Sequence, residues 1–121
     1  MKFTREIPAA TVIRQVSRDA IVIGDRSYGE TIALTPDGIL EDFVAPPLDN
    51  LAESHFDSLF SREPELILLG TGMAIIFPKR ELTFSFARRG IGLEVMDTAA
   101  AARTFNVLAG EGRRLAAVLY L

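Results

Sequence analysis

Cysteine is absent from this chain of 121 residues, and histidine occurs once, at His55. The first absence removes disulfides, thiol catalysis, zinc fingers and iron–sulfur ligation by this chain; the second removes a His-pair metal site within it. No metal and no cofactor are therefore expected. Positive charge is also short. Thirteen Lys and Arg face sixteen Asp and Glu, a net charge of −3, so a broad phosphate-binding face is not expected and nucleic acid is not a predicted partner. Eleven of the thirteen basic residues are arginine, a skew that reads as codon bias. Long hydrophobic runs are missing as well. The most apolar stretch, Leu66 to Phe77, is interrupted by Gly70-Thr71-Gly72 and falls well short of the roughly 20 residues a membrane-spanning helix needs. Direct membrane insertion is not expected. The segment Met1 to Glu6 has no apolar run behind its positive charge and is too short and acidic for a transit peptide, so a cytoplasmic location is expected.

What is present suits a small globular α/β protein. Apolar residues make up 49% and charged residues 24%. The length predicts one domain over residues 1–121, able to bury roughly two-thirds of its unfolded surface. The first part, about residues 10–45, reads as an antiparallel β-meander of three or four strands. Val12, Arg14 and Val16 alternate with Ile13 and Gln15, Ile21-Val22-Ile23 is a short buried run, and Gly24-Asp25-Arg26-Ser27 reads as a turn. Tyr28 to Leu34 and Ile39 to Phe43 are strand candidates around the turn Thr35-Pro36-Asp37-Gly38.

The rest, about residues 48–121, reads as α/β. A helix is predicted from an Asn50 N-cap, with Glu53 completing a capping box, to near Arg62 before Pro64. Leu66-Ile67-Leu68-Leu69 has the continuous apolar character of a strand covered on both faces. Residues 79–89 fit both periods, since Leu82, Phe84 and Phe86 alternate while Leu82 and Phe86 are also four apart. Pro78 at the start, with Arg88, Arg89 and Gly90 at the end, favours a helix. Leu93 to Met96 reads as a strand, Thr98 to Ala109 as a helix stopped by Gly110, and Leu115 to Leu121 as a last strand. Strand–helix–strand–helix–strand over 65–121 implies right-handed crossovers onto one sheet, with the meander beside or across it.

Several constellations carry two readings. Gly70-Thr71-Gly72 ends a strand, where open α/β sheets bind ligands. The third glycine of a dinucleotide fingerprint is missing, Ile75 standing in its place, and no Walker lysine follows; the alternative is a tight turn needing positive φ. Glu94 lies within an apolar strand, followed by Asp97 and Thr98 at a helix start. The pair of carboxylates suits acid–base work. The other reading makes Asp97 or Thr98 an N-cap and Glu94 the partner of Arg103, Arg113 or Arg114, because a buried carboxylate has to be paired. Together Gly70, Thr71, Gly72, Glu94, Asp97 and Thr98 form the candidate binding crevice. Thr104, Asn106, Glu111 and Arg113 form a candidate polar cluster around the end of the last helix, or a solvated face with C-terminal electrostatics. His55, between Leu51 and Leu59, reads as a residue that is packed or at an interface. No hydrolase elbow, zinc-protease motif or calcium loop occurs. No catalytic residue is assigned, and a binding or assembly module is expected before an enzyme.

Four segments in order carry a resemblance: Leu68-Leu69-Gly70-Thr71-Gly72, Gly90-Ile91-Gly92-Leu93-Glu94-Val95-Met96-Asp97-Thr98, Ala101-Ala102-Arg103-Thr104-Phe105-Asn106-Val107-Leu108 and Glu111-Gly112-Arg113-Arg114. With Ile23-Gly24-Asp25-Arg26-Ser27-Tyr28 they resemble a widespread family of small uncharacterised proteins known as a domain of unknown function. Its mitochondrial member is an assembly factor for respiratory complex I, the proton-pumping NADH dehydrogenase. The resemblance covers roughly residues 10–121. It implies a three-layer α/β fold, with a mixed central sheet, flanking helices and an additional β-layer. It implies no established activity, cofactor or substrate. Protein partners are implied instead, subunits of a respiratory membrane complex among them. Thr83-Phe84-Ser85-Phe86 is unusually aromatic for the segment it occupies.

Overall fold

A computed structural model describes residues 12–121. Strands β1 (Ile13–Val16), β2 (Ile21–Ile23) and β3 (Arg26–Tyr28) form an antiparallel three-stranded sheet. β4 (Ile32–Thr35) and β5 (Gly38–Ile39) follow, then a short helix α1 (Asp57–Phe60), β6 (Leu66–Thr71), α2 (Arg80–Arg89), β7 (Gly92–Met96), α3 (Thr98–Gly110) and β8 (Leu115–Tyr120). The larger sheet has the order β5-β4-β8-β6-β7, with β6 parallel to both its neighbours and β4 antiparallel to β8. The expected mixed central sheet with a βαβαβ half, flanking helices and an N-terminal antiparallel sheet is the observed architecture.

Alternation along β8 builds the two sides of the core. Leu115, Ala117 and Leu119 face α3 and the small sheet, with Phe105, Ile21 and Leu34. Ala116, Val118 and Tyr120 face α2 and α1, with Phe56, Leu59 and Phe86. β6 alternates likewise, Leu68 to the first side and Ile67 and Leu69 to the second. The two helices lie on opposite faces for a reason of handedness. The chain moves outward from β6 to β7 and back across β6 to β8, and crossovers of one hand then have to pass over opposite faces.

The expected meander divides between the two sheets. Arg26 and Ser27, expected in a turn, belong to β3 and pair with Ile23 and Val22. The expected strand from Tyr28 to Leu34 is broken between β3 and β4, which join different sheets, and the strand expected at 39–43 ends at Ile39. β1 has a bulge between Ile13 and Gln15, which places Ile13 and Val16 on the core side and explains why the period-two signal there is weak.

The helix expected from Asn50 to near Arg62 is not continuous. Leu48–Asn50 and Glu53–Phe56 are separate 3-10 turns, and only Asp57–Phe60 is α-helical. Leu51 lies between them, extended and buried, so core packing overrides the Asn50 capping pattern. The N-cap is Ala52, whose N–H donates to His55 Nδ1 at 3.0 Å. Residues 80–89 are helical as expected, and Gly90 ends them at φ +72°. α3 ends at Gly110, where the stop was expected, but the left-handed residue beyond it is Gly112, where φ is +77°; the Arg113 N–H returns to the Leu108 carbonyl and the Gly112 N–H to that of Ala109.

Candidate functional site

Helices on opposite faces part the chain at the C-terminal ends of β6 and β7, the place where open α/β sheets form a crevice. Gly70 pairs with Met96 across these strands. A Cβ at Gly70 would stand 2.9 Å from the Thr98 Cα and 3.2 Å from the Ala101 Cβ, so this glycine admits the start of α3 onto the sheet. Thr98 is buried, and its hydroxyl joins three segments. It donates to the Tyr120 carbonyl at 2.6 Å and accepts from the Gly72 N–H at 2.7 Å. The Thr98 N–H donates to the Gly72 carbonyl at 2.9 Å. Asp97 is the N-cap of α3, its Oδ1 accepting from the Ala100 N–H at 2.8 Å. Gly72 has φ +95°, the strained turn geometry that only glycine adopts cheaply.

Thr71, also buried, organises the loop that follows. Its hydroxyl donates to the Ala74 carbonyl at 2.6 Å and accepts from the Ile76 N–H at 3.0 Å. The loop is therefore fixed, yet its side chains face water. Met73 is 69% exposed, Ile75 53%, Ile76 52% and Phe77 76%, and Phe84 on α2 is 53% exposed. Sequence reasoning passed over these residues by counting 66–77 as one apolar stretch. The available signal was an aperiodic apolar run lying between the Gly72 turn and Pro78.

A cavity of about 210 Å³ opens beside the crevice, lined by Gly72, Met73, Asp97, Thr98 and Tyr120, with Arg18 reaching it from the small sheet. Burial pushes the Tyr120 hydroxyl up to about 12. That hydroxyl donates to the Pro46 carbonyl at 2.8 Å. Glu94 departs from expectation. β7 is an edge strand, so Glu94 is exposed and not buried between two layers. Among the described residues, the ion pairs are Arg89–Glu53 at 2.8 Å and Arg113–Glu65 at 2.6 Å, and neither involves Glu94.

Nor does the expected polar cluster assemble. The Thr104 hydroxyl lies 3.6 Å from the Met96 sulfur, Arg113 reaches Glu65, and Glu111 is exposed. Asn106 points to the small sheet, where its Nδ2 donates to the Ile13 carbonyl at 2.8 Å and its Oδ1 accepts from the Ile13 N–H at 3.0 Å. The amide thus pairs with β1 as a neighbouring strand would. A second hollow, about 340 Å³, lies at the opposite end of the sheet and includes Arg62, Arg113 and Arg114. Arg114 donates to the carbonyl of Glu63, a residue with φ +54°. Guanidinium groups at this end complement the carbonyl end of α3.

Chemically, the crevice has few groups left to offer: the Thr71, Thr98 and Gly72 hydrogen-bonding groups are engaged within the fold. Among the described residues, no cluster of three or more His, Asp or Glu side chains could hold a metal ion, and no helix is long and apolar enough to cross a membrane.

Residues 13–120 match the family model described as "Protein of unknown function (DUF498/DUF598)". The chain is 35% identical over 118 residues to the Bos taurus protein named "NADH dehydrogenase [ubiquinone] 1 alpha subcomplex assembly factor 3", a match covering 95% of this chain and 63% of the bovine protein. It is 24% identical over 115 residues to the "13 kDa major membrane protein" of Francisella tularensis subsp. holarctica (strain LVS), covering 94% of each. The solution structure of a Xanthomonas campestris protein, 35% identical, superposes with a TM-score of 0.84 over 97% of this chain and 89% of that one.

Proposed function

We propose, for a chain that belongs to the DUF498/DUF598 family, that it is an interaction module serving the assembly of a membrane-bound complex. Its partners on this reading are protein subunits of a respiratory complex, met from the cytoplasm. The bovine relative's name supports this reading, although the chain spans only 63% of that protein's length. One observation carries it. The crevice closes its own hydrogen bonds through Thr71 and Thr98, while the adjoining loop holds Met73, Ile75, Ile76 and Phe77 rigidly in water. Large apolar side chains gain about 1.5–3 kcal/mol each on full burial, so a fixed exposed set favours association with a larger body.

The second reading, a small-molecule binder using Gly70, Thr71, Gly72, Glu94, Asp97 and Thr98, draws support from the 210 Å³ cavity at Gly72, Asp97 and Thr98. That volume is below the roughly 300–1,000 Å³ of usual ligand pockets. Affinity capture from native membranes, with mass spectrometry, tests the first reading. Subunits of a respiratory membrane complex are expected with the wild-type chain and depleted with Ile75→Asp/Phe77→Asp. Recovery of no membrane-complex subunit by the wild type overturns it.

A further inference from the structure

We infer that the surface receiving the 73–77 loop is an anionic lipid bilayer. The inference rests on one part of the reading above, that the loop is built for burial against a larger body, and takes that body to be the membrane around the complex, leaving the protein subunits to contact other surfaces of the chain. Three observations carry it. The first is chemical: Met73, Ala74, Ile75, Ile76 and Phe77 are five consecutive exposed residues without a hydrogen-bonding side chain. Protein interfaces carry about one hydrogen bond per 100–200 Å² and bury about 800 Å² per partner. A short protruding run of bare hydrocarbon suits the boundary between headgroups and acyl chains better.

The second is electrostatic. Between Met73 and Gly90 the sequence has four basic residues and one acidic; elsewhere it has nine and fifteen. Of these four, Lys79 and Arg80 stand at the loop end of α2, and Arg88 and Arg89 at its other end. Lys79 and Arg80 follow the loop directly, and Phe84, one turn further along α2, is exposed beside Arg80 and Glu81. Among the described residues, Lys79, Arg80 and Arg88 form no ion pair, whereas Arg89 is held by Glu53. On the Met73 side Arg18 shares a cavity lining with the Asp97 carboxylate, so the cations that matter are Lys79 and Arg80. A two-fold pairing with a second copy would set this basic segment against itself; an anionic surface neutralises it.

The third is order. The Thr71 hydroxyl fixes the loop before any contact is made, so little conformational entropy is lost when it inserts.

The sequence has no tryptophan, so Phe77→Trp places a single reporter at the loop. The variant, checked for an unchanged melting temperature, is titrated with phosphatidylcholine vesicles with and without phosphatidylglycerol. Water-like emission is expected without lipid, and a blue shift with the phosphatidylglycerol vesicles only. Adding Lys79→Gln/Arg80→Gln should weaken binding about 25-fold, at about five-fold per basic residue near an anionic surface. Absence of a shift with phosphatidylglycerol overturns the inference, as does an equal shift with phosphatidylcholine alone. Blue-shifted emission before lipid is added also overturns it; sedimentation then assigns the cover to a second copy or to the chain's own residues 1–11. Should the vesicles fail while membrane capture still recovers respiratory subunits, this inference falls and the broader reading stands.

Discussion

Residues Gly70–Gly72 and Met73–Phe77 are adjacent in the chain and opposed in what they do with their chemistry. The first three resemble a ligand loop, with two glycines and a threonine at a strand end. Their polar groups are nevertheless used inside the fold: Thr71 on its own loop, Gly72 on Thr98, and Gly70 as a landing for α3. The next five resemble core and face water. The difference lies in where the hydrogen bonds go. Parallel strand ends joined to helices on opposite faces leave backbone groups that need partners, and Thr71 and Thr98 supply them. Meeting that need fixes the next loop in an outward position, and the apolar side chains are left for another surface.

The largest effect should come from cutting the tie itself. Thr98→Val keeps the shape of the buried side chain but leaves the Gly72 N–H and the Tyr120 carbonyl without their partner. Each orphaned group costs about 1–3 kcal/mol, so denaturant unfolding should register a loss of about 2–6 kcal/mol. Thr98→Ser should recover most of it. Equal stability of the Val and Ser variants would mean that the hydroxyl is not what holds the strand ends.

Gly70→Ala tests the close approach. Its Cβ would meet main-chain atoms of α3, which cannot swing aside, and the loss should be about 1–3 kcal/mol in the same assay. If Gly70→Ala were neutral, a ligand-binding reason for this glycine would regain its force.

Tyr120 sharpens the comparison through pH, because it lines the crevice and its carbonyl receives Thr98. Burial raises its hydroxyl from the ordinary value of 10.0 to about 12. The folded state therefore favours the neutral phenol. That contribution is present in full below pH 10 and is lost as pH rises to about 12, since the unfolded chain releases the proton first. The alkaline limb should amount to on the order of 2 kcal/mol. Tyr120→Phe should flatten it, and a limb of unchanged depth in that variant would locate the titration elsewhere.

Legibility in the sequence followed the same division. Elements fixed by local rules were readable. β6 and β8 appear as unbroken apolar runs, and α2 could be chosen over a strand from Pro78, Arg88, Arg89 and Gly90. Asp97 capping α3 was one of the two readings kept open for it. What failed depended on neighbours distant in sequence. Glu94 was expected in a covered strand because periodicity cannot reveal that β7 lies at an edge. The Asn50 capping box was overridden once Leu51 had to be buried, and Asn106 binds Ile13, which lies 93 positions away. Gly72, Asp97 and Thr98 meet at one cavity because strand ends in βαβ units share one edge of the sheet, while Glu94 lies outside that lining, and whether polar groups face a ligand or one another depends on atomic contacts. The outward loop was hidden by composition, since apolar content by itself does not separate core from display.

The smallest effect expected in the folded protein is the one that isolates the loop. Met73, Ile75, Ile76 and Phe77 contribute little to the two sides of the core, and the loop's conformation is set by Thr71, not by these side chains. Ile75→Asp/Phe77→Asp should therefore change unfolding stability by no more than about 0.5 kcal/mol, the usual range for surface substitutions away from caps and cores. The same double substitution should abolish association with membranes. A protein that keeps its melting temperature and loses its docking would separate the two adjacent segments experimentally, one serving the fold and the other serving a surface outside it. A loss of several kcal/mol would instead mean that these side chains pack within the protein in solution, and the loop would then belong with Gly70–Gly72 as part of the fold.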